Sequence, residues 1–160
     1  MQPGSDSSGA ILGGCDDSRS IPDRHGGHRP AAVPPLSDPS LTARELGRLG
    51  EEHAASWLCD RGWRIVDRNW GTRFGELDII ALDAEKRLVF IEVKTRRSML
   101  QGVPAEAVTP AKRLHLRRAA AQWLTASPRG RIRHHEVRFD VIAIDASGQA
   151  PVITHIEGAF

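Results

Sequence analysis

The stretch that most constrains the fold runs from Phe74 to Arg97. Phe-Gly-Glu-Leu-Asp-Ile-Ile-Ala-Leu is followed by a short polar break, Asp83-Ala84-Glu85-Lys86, and then by Leu-Val-Phe-Ile-Glu-Val-Lys-Thr-Arg-Arg. Both halves alternate apolar and polar residues with period two, and both are rich in the Ile, Val and Phe that strands favour. The pattern predicts a β-hairpin. A hairpin symmetric about residue 85 places Asp78 opposite Glu92 and Glu76 opposite Lys94. Leu77 and Ile79 then face the core, while Glu76 and Asp78 share the other face with Glu92 and Lys94. Directly opposed like charges destabilise a sheet. Two facing carboxylates therefore call for a counter-charge. A hard divalent cation such as Mg²⁺, held by one or two carboxylates and by substrate phosphates, supplies one. The bland alternative is a solvated strand face with a Glu76–Lys94 ion pair, worth little at a surface.

The rest of the chain reads as one α/β domain behind a tail. In residues 1–40, nineteen are Gly, Pro or Ser and none is aromatic, a composition too poor in apolar surface to offset its ordering entropy. The expected division is a disordered tail over 1–40 and a domain over 41–160. Leu46, Leu49, Ala54, Trp57 and Leu58 recur at helical spacing behind Ser40 or Thr42 as cap, with Glu45 completing a capping box. Gly47 and Gly50 fall in this helix, where they would permit close packing on a sheet. Glu51 and Glu52 lie mid-helix, on a solvated face or directed at the hairpin acids.

Trp63–Trp70 reads as a first strand, linked to the hairpin by a loop containing Arg73. A Gly/Pro-bearing loop spans Ser98 to Val108. Thr109-Pro110 opens a second helix, a cap followed by proline in the first turn, with Leu114, Leu116, Ala120, Trp123 and Leu124 on its apolar side. Glu136–Asp145 makes a fourth strand and Val152–Ile156 an edge strand. The order is helix, three strands, helix, one or two strands, a mixed sheet flanked by helices.

Charge is distributed unevenly. The formal net charge is only +2, but from Lys94 to Arg133 there are ten basic residues against one acid, Glu106. Such a surface suits a polyanion. Arg73, Arg96, Arg97, Lys112, Arg113, Arg117 and Arg118 are the residues expected to track a nucleic-acid backbone. Cys15 and Cys59 show no zinc spacing and are expected as free thiols in a cytoplasmic protein. No apolar run approaches the ~18 residues of a membrane span.

Several segments together resemble the YraN-like family of uncharacterised bacterial proteins. They are Gly47-Arg48-Leu49-Gly50-Glu51, Arg68-Asn69-Trp70, Gly75-Glu76-Leu77-Asp78-Ile79-Ile80-Ala81, Phe90-Ile91-Glu92-Val93-Lys94-Thr95-Arg96, Ala107-Val108-Thr109-Pro110-Ala111-Lys112 and Arg138-Phe139-Asp140-Val141. That family is similar in core to the restriction-endonuclease-like nucleases and to Holliday junction resolvases. The resemblance implies a carboxylate–carboxylate–lysine centre of Asp78, Glu92 and Lys94, joined by Glu51 from the first helix. Mg²⁺ or Mn²⁺ would be held by Asp78, Glu92, Glu51 and the Val93 carbonyl, with Glu76 as an accessory acid. The expected function is a metal-dependent endonuclease acting on branched or structured DNA, as monomer or homodimer and away from membranes. The alternative is a non-enzymatic nucleic-acid-binding or protein-interaction module that keeps the nuclease fold.

Overall fold

Two helices sandwich a five-stranded sheet in the computed structural model, which describes residues 34–97 and 108–160. Residues 1–33 and the expected loop at 98–107 lie outside the described residues. Helix α1 spans Ala43–Cys59. Its start is the predicted capping box: Thr42 Oγ1 accepts from the Glu45 backbone N–H at 3.2 Å, and the Glu45 carboxylate accepts from the Thr42 backbone N–H at 2.8 Å. Strands β1 (Arg64–Thr72), β2 (Gly75–Leu82) and β3 (Leu88–Arg96) follow as an antiparallel meander. Helix α2 (Pro110–Ala126), capped by Thr109, carries the chain over to β4 (Val137–Asp145), which lies parallel to β3. Strand β5 (Val152–Ile156) closes the far edge antiparallel to β4. Sheet order equals chain order. Among the described residues no helix is long and apolar enough to cross a membrane.

The hairpin register is the predicted one. Ile79 pairs with Ile91, Ile80 with Phe90, Ala81 with Val89 and Leu82 with Leu88, all symmetric about residue 85. The turn is held by Asp83, which accepts from the backbone N–H groups of Glu85 and Arg87 and from Arg87 Nε at 2.6 Å.

The facing of the strands differs from the simple alternation. The sheet is covered on both sides, so its central strands are apolar on both faces. Leu46, Leu49, Ala54, Ala55 and Leu58 of α1 pack on Ile79, Ala81, Val89, Ile91 and Val93. Leu116, Ala119, Ala120 and Trp123 of α2 pack on Ile80, Leu82, Leu88 and Phe90. Leu77 joins the α2 layer and Ile79 the α1 layer, although both were expected on one face. Strand β2 therefore turns over between them, where its pairing with β3 ends.

Three further expectations are corrected. The packed part begins before residue 41: Leu36 is buried in the α1 layer, and Arg97 Nη2 donates to the carbonyls of Asp38 at 2.6 Å and Leu41 at 3.0 Å. Leu114, read as apolar-face, is 48% exposed, because α2 meets the sheet over a narrower stripe. Cys59 is disulfide-bonded rather than a free thiol.

The two helical glycines have different roles. A Cβ at Gly50 would lie 1.8 Å from Thr95 Oγ1 and 2.9 Å from Thr95 Cβ. The missing side chain is what lets α1 close on β3 and set Glu51 over the sheet. A Cβ at Gly47 would meet nothing within 4 Å. Gly47→Ala should stabilise the protein by about 1 kcal/mol through helix propensity. Gly50→Ala should destabilise it by roughly 1–3 kcal/mol despite the same propensity gain, because overpacking dominates. Denaturant melts of the two variants check this; a gain in both would contradict the close α1–β3 contact.

Candidate active site

The site begins where two strands part. Pairing between β2 and β3 stops at Ile79 and Ile91, one step short of Asp78 and Glu92. Below that step β2 pairs only with β1, through Leu77, Glu76 and Gly75, while β3 continues beside β4 as far as Arg96. The fork frees the Val93 backbone N–H from the hairpin ladder, and Asp78 Oδ2 accepts it at 2.8 Å. The sequence therefore sets an acidic side chain at each branch of the fork.

Glu92 is 3% exposed. Its Oε1 receives Lys94 Nζ at 2.6 Å and Lys112 Nζ at 3.2 Å. Its Oε2 is buried and has no hydrogen-bond partner among the described residues. A buried oxygen with no donor is costly unless something else meets it. Asp78 carries the matching sign of frustration. Burial, reinforced by the Glu92 charge, pushes its carboxyl up to about 7, against the pull of the Val93 N–H and Lys112. Glu51, half-buried on α1, is also raised, by burial first and then by the Glu76 charge, with Arg68 opposing and Glu92 adding to the rise. Carboxyls pushed upward by burial and by one another are characteristic of functional sites.

The structure thus gathers Glu51, Asp78, Glu92 and Lys94 from α1, β2 and β3. Lys94 binds Glu92, not the Glu76 that the symmetric register set opposite it, because the ladder has ended before that pair. Glu76 is exposed and acts on the site through its charge on Glu51. Val93 contributes its N–H to Asp78. Among the described residues no three Asp, Glu, His or Cys side chains converge into a ready metal cage.

Lys112 is the member that sequence reading placed elsewhere. It was grouped with the backbone-tracking cations, yet α2 delivers it to Glu92. Its signal was position: the first turn after Pro110 points at whatever lies beneath the helix start. Arg68, which had no assigned role, stands near Glu51 and its Nε is buried without a hydrogen-bond partner among the described residues. The other cations divide. Arg117 and Arg118 are exposed on α2, and Arg73 is exposed in the β1–β2 turn. Arg113 Nε donates to the Val108 carbonyl at 2.9 Å, and Arg97 holds the chain entering α1. Arg96 is half-buried at the end of β3, where its carbonyl accepts from Ala146 at 2.7 Å.

The model of the uncharacterised protein family UPF0102 matches residues 50–144. The chain belongs to this family. A UPF0102 protein of Bifidobacterium longum is 50% identical over 125 residues, covering 78% of this chain and 100% of the relative. One from Rhodococcus opacus is 48% identical over 116 residues, covering 72% and 95%. One from Geobacter sulfurreducens is 47% identical over 127 residues, covering 79% and 96%. Glu51, Asp78, Glu92, Lys94 and Lys112 all fall inside the segment that defines UPF0102.

The raised Asp78 carboxyl gives this UPF0102 protein a definite pH dependence. Between the ordinary 3.8 and about 7 the folded form holds a proton that the unfolded chain has released. Stability therefore falls as pH rises through that window and levels off above it. Asp78→Asn removes the titration and keeps an acceptor for the Val93 N–H. In chelator, its melting temperature should match the wild type near pH 4 and exceed it by roughly 4 °C or more at pH 8. An offset that does not vary with pH would contradict the assignment.

Proposed function

We propose that this UPF0102 protein is a metal-dependent endonuclease that hydrolyses phosphodiester bonds in nucleic acid, with branched or structured DNA as the preferred class. The observation that carries the reading is the pairing of half-buried Asp78 with buried Glu92, beside Lys94, at the strand fork. Two hard oxygen donors, one of them the unpartnered Glu92 Oε2, fit Mg²⁺ or Mn²⁺ with the remaining ligands left to water and phosphate. Glu51 and the Val93 carbonyl would complete the set. When bound, such an ion activates water and offsets negative charge on the phosphate.

The chain's own residues do the rest. Lys94 orients the attacking water and donates to the charge that grows on phosphate oxygens in the transition state. Lys112, beside it on Glu92, fixes the carboxylate and meets the same charge. Asp78, held in place by the Val93 N–H, would serve as a ligand in its ionised form. Arg117 and Arg118 on the outer face of α2, with Arg73 at the turn, receive the flanking phosphates. Phosphate contacts of this kind position a substrate by shape rather than by sequence.

A second reading has its own support. Glu92 Oε1 is already neutralised by two lysines, as a purely structural ion-pair network would require. On that reading the protein binds nucleic acid, or an acidic protein partner, without cleaving. Cleavage of duplex, single-stranded, flap, four-way-junction and RNA substrates with Mg²⁺ and Mn²⁺ distinguishes the two. Lys94→Ala should lower cleavage by at least about 100-fold with little change in affinity, because its contact is made in the transition state. Lys112 remains on Glu92 to preserve the fold. Arg117→Ala with Arg118→Ala should weaken binding to all sequences alike and reduce the salt slope by about 0.9 for each lost duplex phosphate contact. Loss of binding in the arginine variants with no cleavage by any protein would favour the binding module.

A further inference from the structure

The elements that frame the acidic pair continue to a second feature about which the acids say nothing. At the β1–β2 turn, Phe74 sits half-buried with the Arg73 guanidinium 4.7 Å and the Arg118 guanidinium 5.7 Å from its ring centre. Arg73, Phe74, Ala121, Gln122 and Thr125 line an open concavity of about 600 Å³ beside it. The turn is built to hold this ring. Thr72 Oγ1 accepts from the Phe74 N–H at 2.9 Å and donates to the Gly75 carbonyl at 2.9 Å. Gly75 has φ of 124°, a conformation open essentially to glycine.

An apolar ring adds nothing to phosphate binding. Two guanidiniums and a π-face together offer what a nucleotide presents: a charged phosphate and a flat base. Stacking on aromatic rings and on arginine planes is the common way that proteins hold unpaired bases. Bases in a duplex are stacked inside and cannot reach such a ring.

Phe74 lies in the turn just before β2, four residues ahead of Asp78, a separation of at most roughly 14 Å, which a few nucleotides can span. Lys112 and Arg118 mark the same two points on α2, roughly 9 Å apart along the helix. The concavity and the acidic pair thus lie along one path.

The geometry points to a stacking site for an unpaired nucleobase at Phe74, with Arg73 and Arg118 on the adjoining phosphates. This selects substrates with splayed or single-stranded nucleotides a few positions from the bond that is cut. The inference rests on the nuclease reading above, and deepens it by naming the substrate feature.

The test uses the full chain in chelator, so that binding is read without cleavage. The probes are oligodeoxythymidylate, a splayed-arm duplex with 2-aminopurine in the arm, and a blunt duplex of equal length. Phe74→Ala should weaken binding to the first two about tenfold and change the blunt duplex less than twofold. Phe74→Trp should keep wild-type affinity, which also controls for folding. Arm 2-aminopurine should be quenched by the wild type and not by Phe74→Ala. Equal loss on all three probes, or a tryptophan variant as weak as the alanine one, would make the ring structural and overturn the inference. If the wild type binds splayed and blunt probes alike and Phe74→Ala alters neither, the stacking site falls and the endonuclease reading stands. If the wild type binds none of the probes, the nuclease reading fails and takes the stacking site with it.

Discussion

The structure depends on a charge problem set by the fork in the sheet. Asp78, half-buried, and Glu92, buried, stand at neighbouring positions of two strands that are separating. Burial raises the cost of ionising Asp78, and the neighbouring Glu92 charge raises it further. The protein answers with Lys94, Lys112 and the Val93 N–H, and leaves Glu92 Oε2 unmatched. The compensation is incomplete at that one buried oxygen. A network meant only for stability would gain from replacing such a buried ionic cluster by apolar residues.

The remaining architecture delivers these groups. Sheet order equals chain order, so the hairpin needs no crossover to bring Asp78 and Glu92 together. The single parallel pairing, β3 with β4, requires a crossover; that crossover contains α2, whose first turn carries Lys112. Gly50 lets α1 approach Thr95, which brings Glu51 over the acids. On the neighbouring strand β4, Asp140 is fully buried and satisfied by Arg138, His155 and the Gly158 N–H. The contrast between the two acidic centres is informative: Asp140 has its charge met from several directions and its carboxyl held below the usual range by His155 and Arg138 despite burial, whereas Asp78 is pushed upward.

Much of this was legible in the residues because local rules acted alone. The capping box at Thr42 and Glu45, Pro110 at the start of α2, and the hairpin symmetry about residue 85 are short-range effects, and all three appear as read. The misreadings arise where tertiary packing intervenes. Alternation suggested one buried face for Leu77 and Ile79, but two helical layers bury both faces and the strand turns over at the fork. Leu36 and Arg97 act through a contact between segments nearly sixty residues apart, which no local pattern reports. Lys112 was grouped by charge with Arg117 and Arg118, yet helix phase separates them: one faces the acids and the others face solvent. The UPF0102 membership follows from matches spread over residues 50–144, which include every member of the acidic site.

The central claim is that the Asp78–Glu92 fork is built to hold a divalent cation. Calorimetric titration of Mn²⁺ into the metal-free protein tests it without reference to any substrate. The account predicts binding to the wild type at neutral pH, with proton release from the Asp78 carboxyl, and a loss of at least about tenfold in affinity for Asp78→Ala and for Glu92→Ala. Binding of equal strength in the wild type and both variants, or none in the wild type, would contradict it.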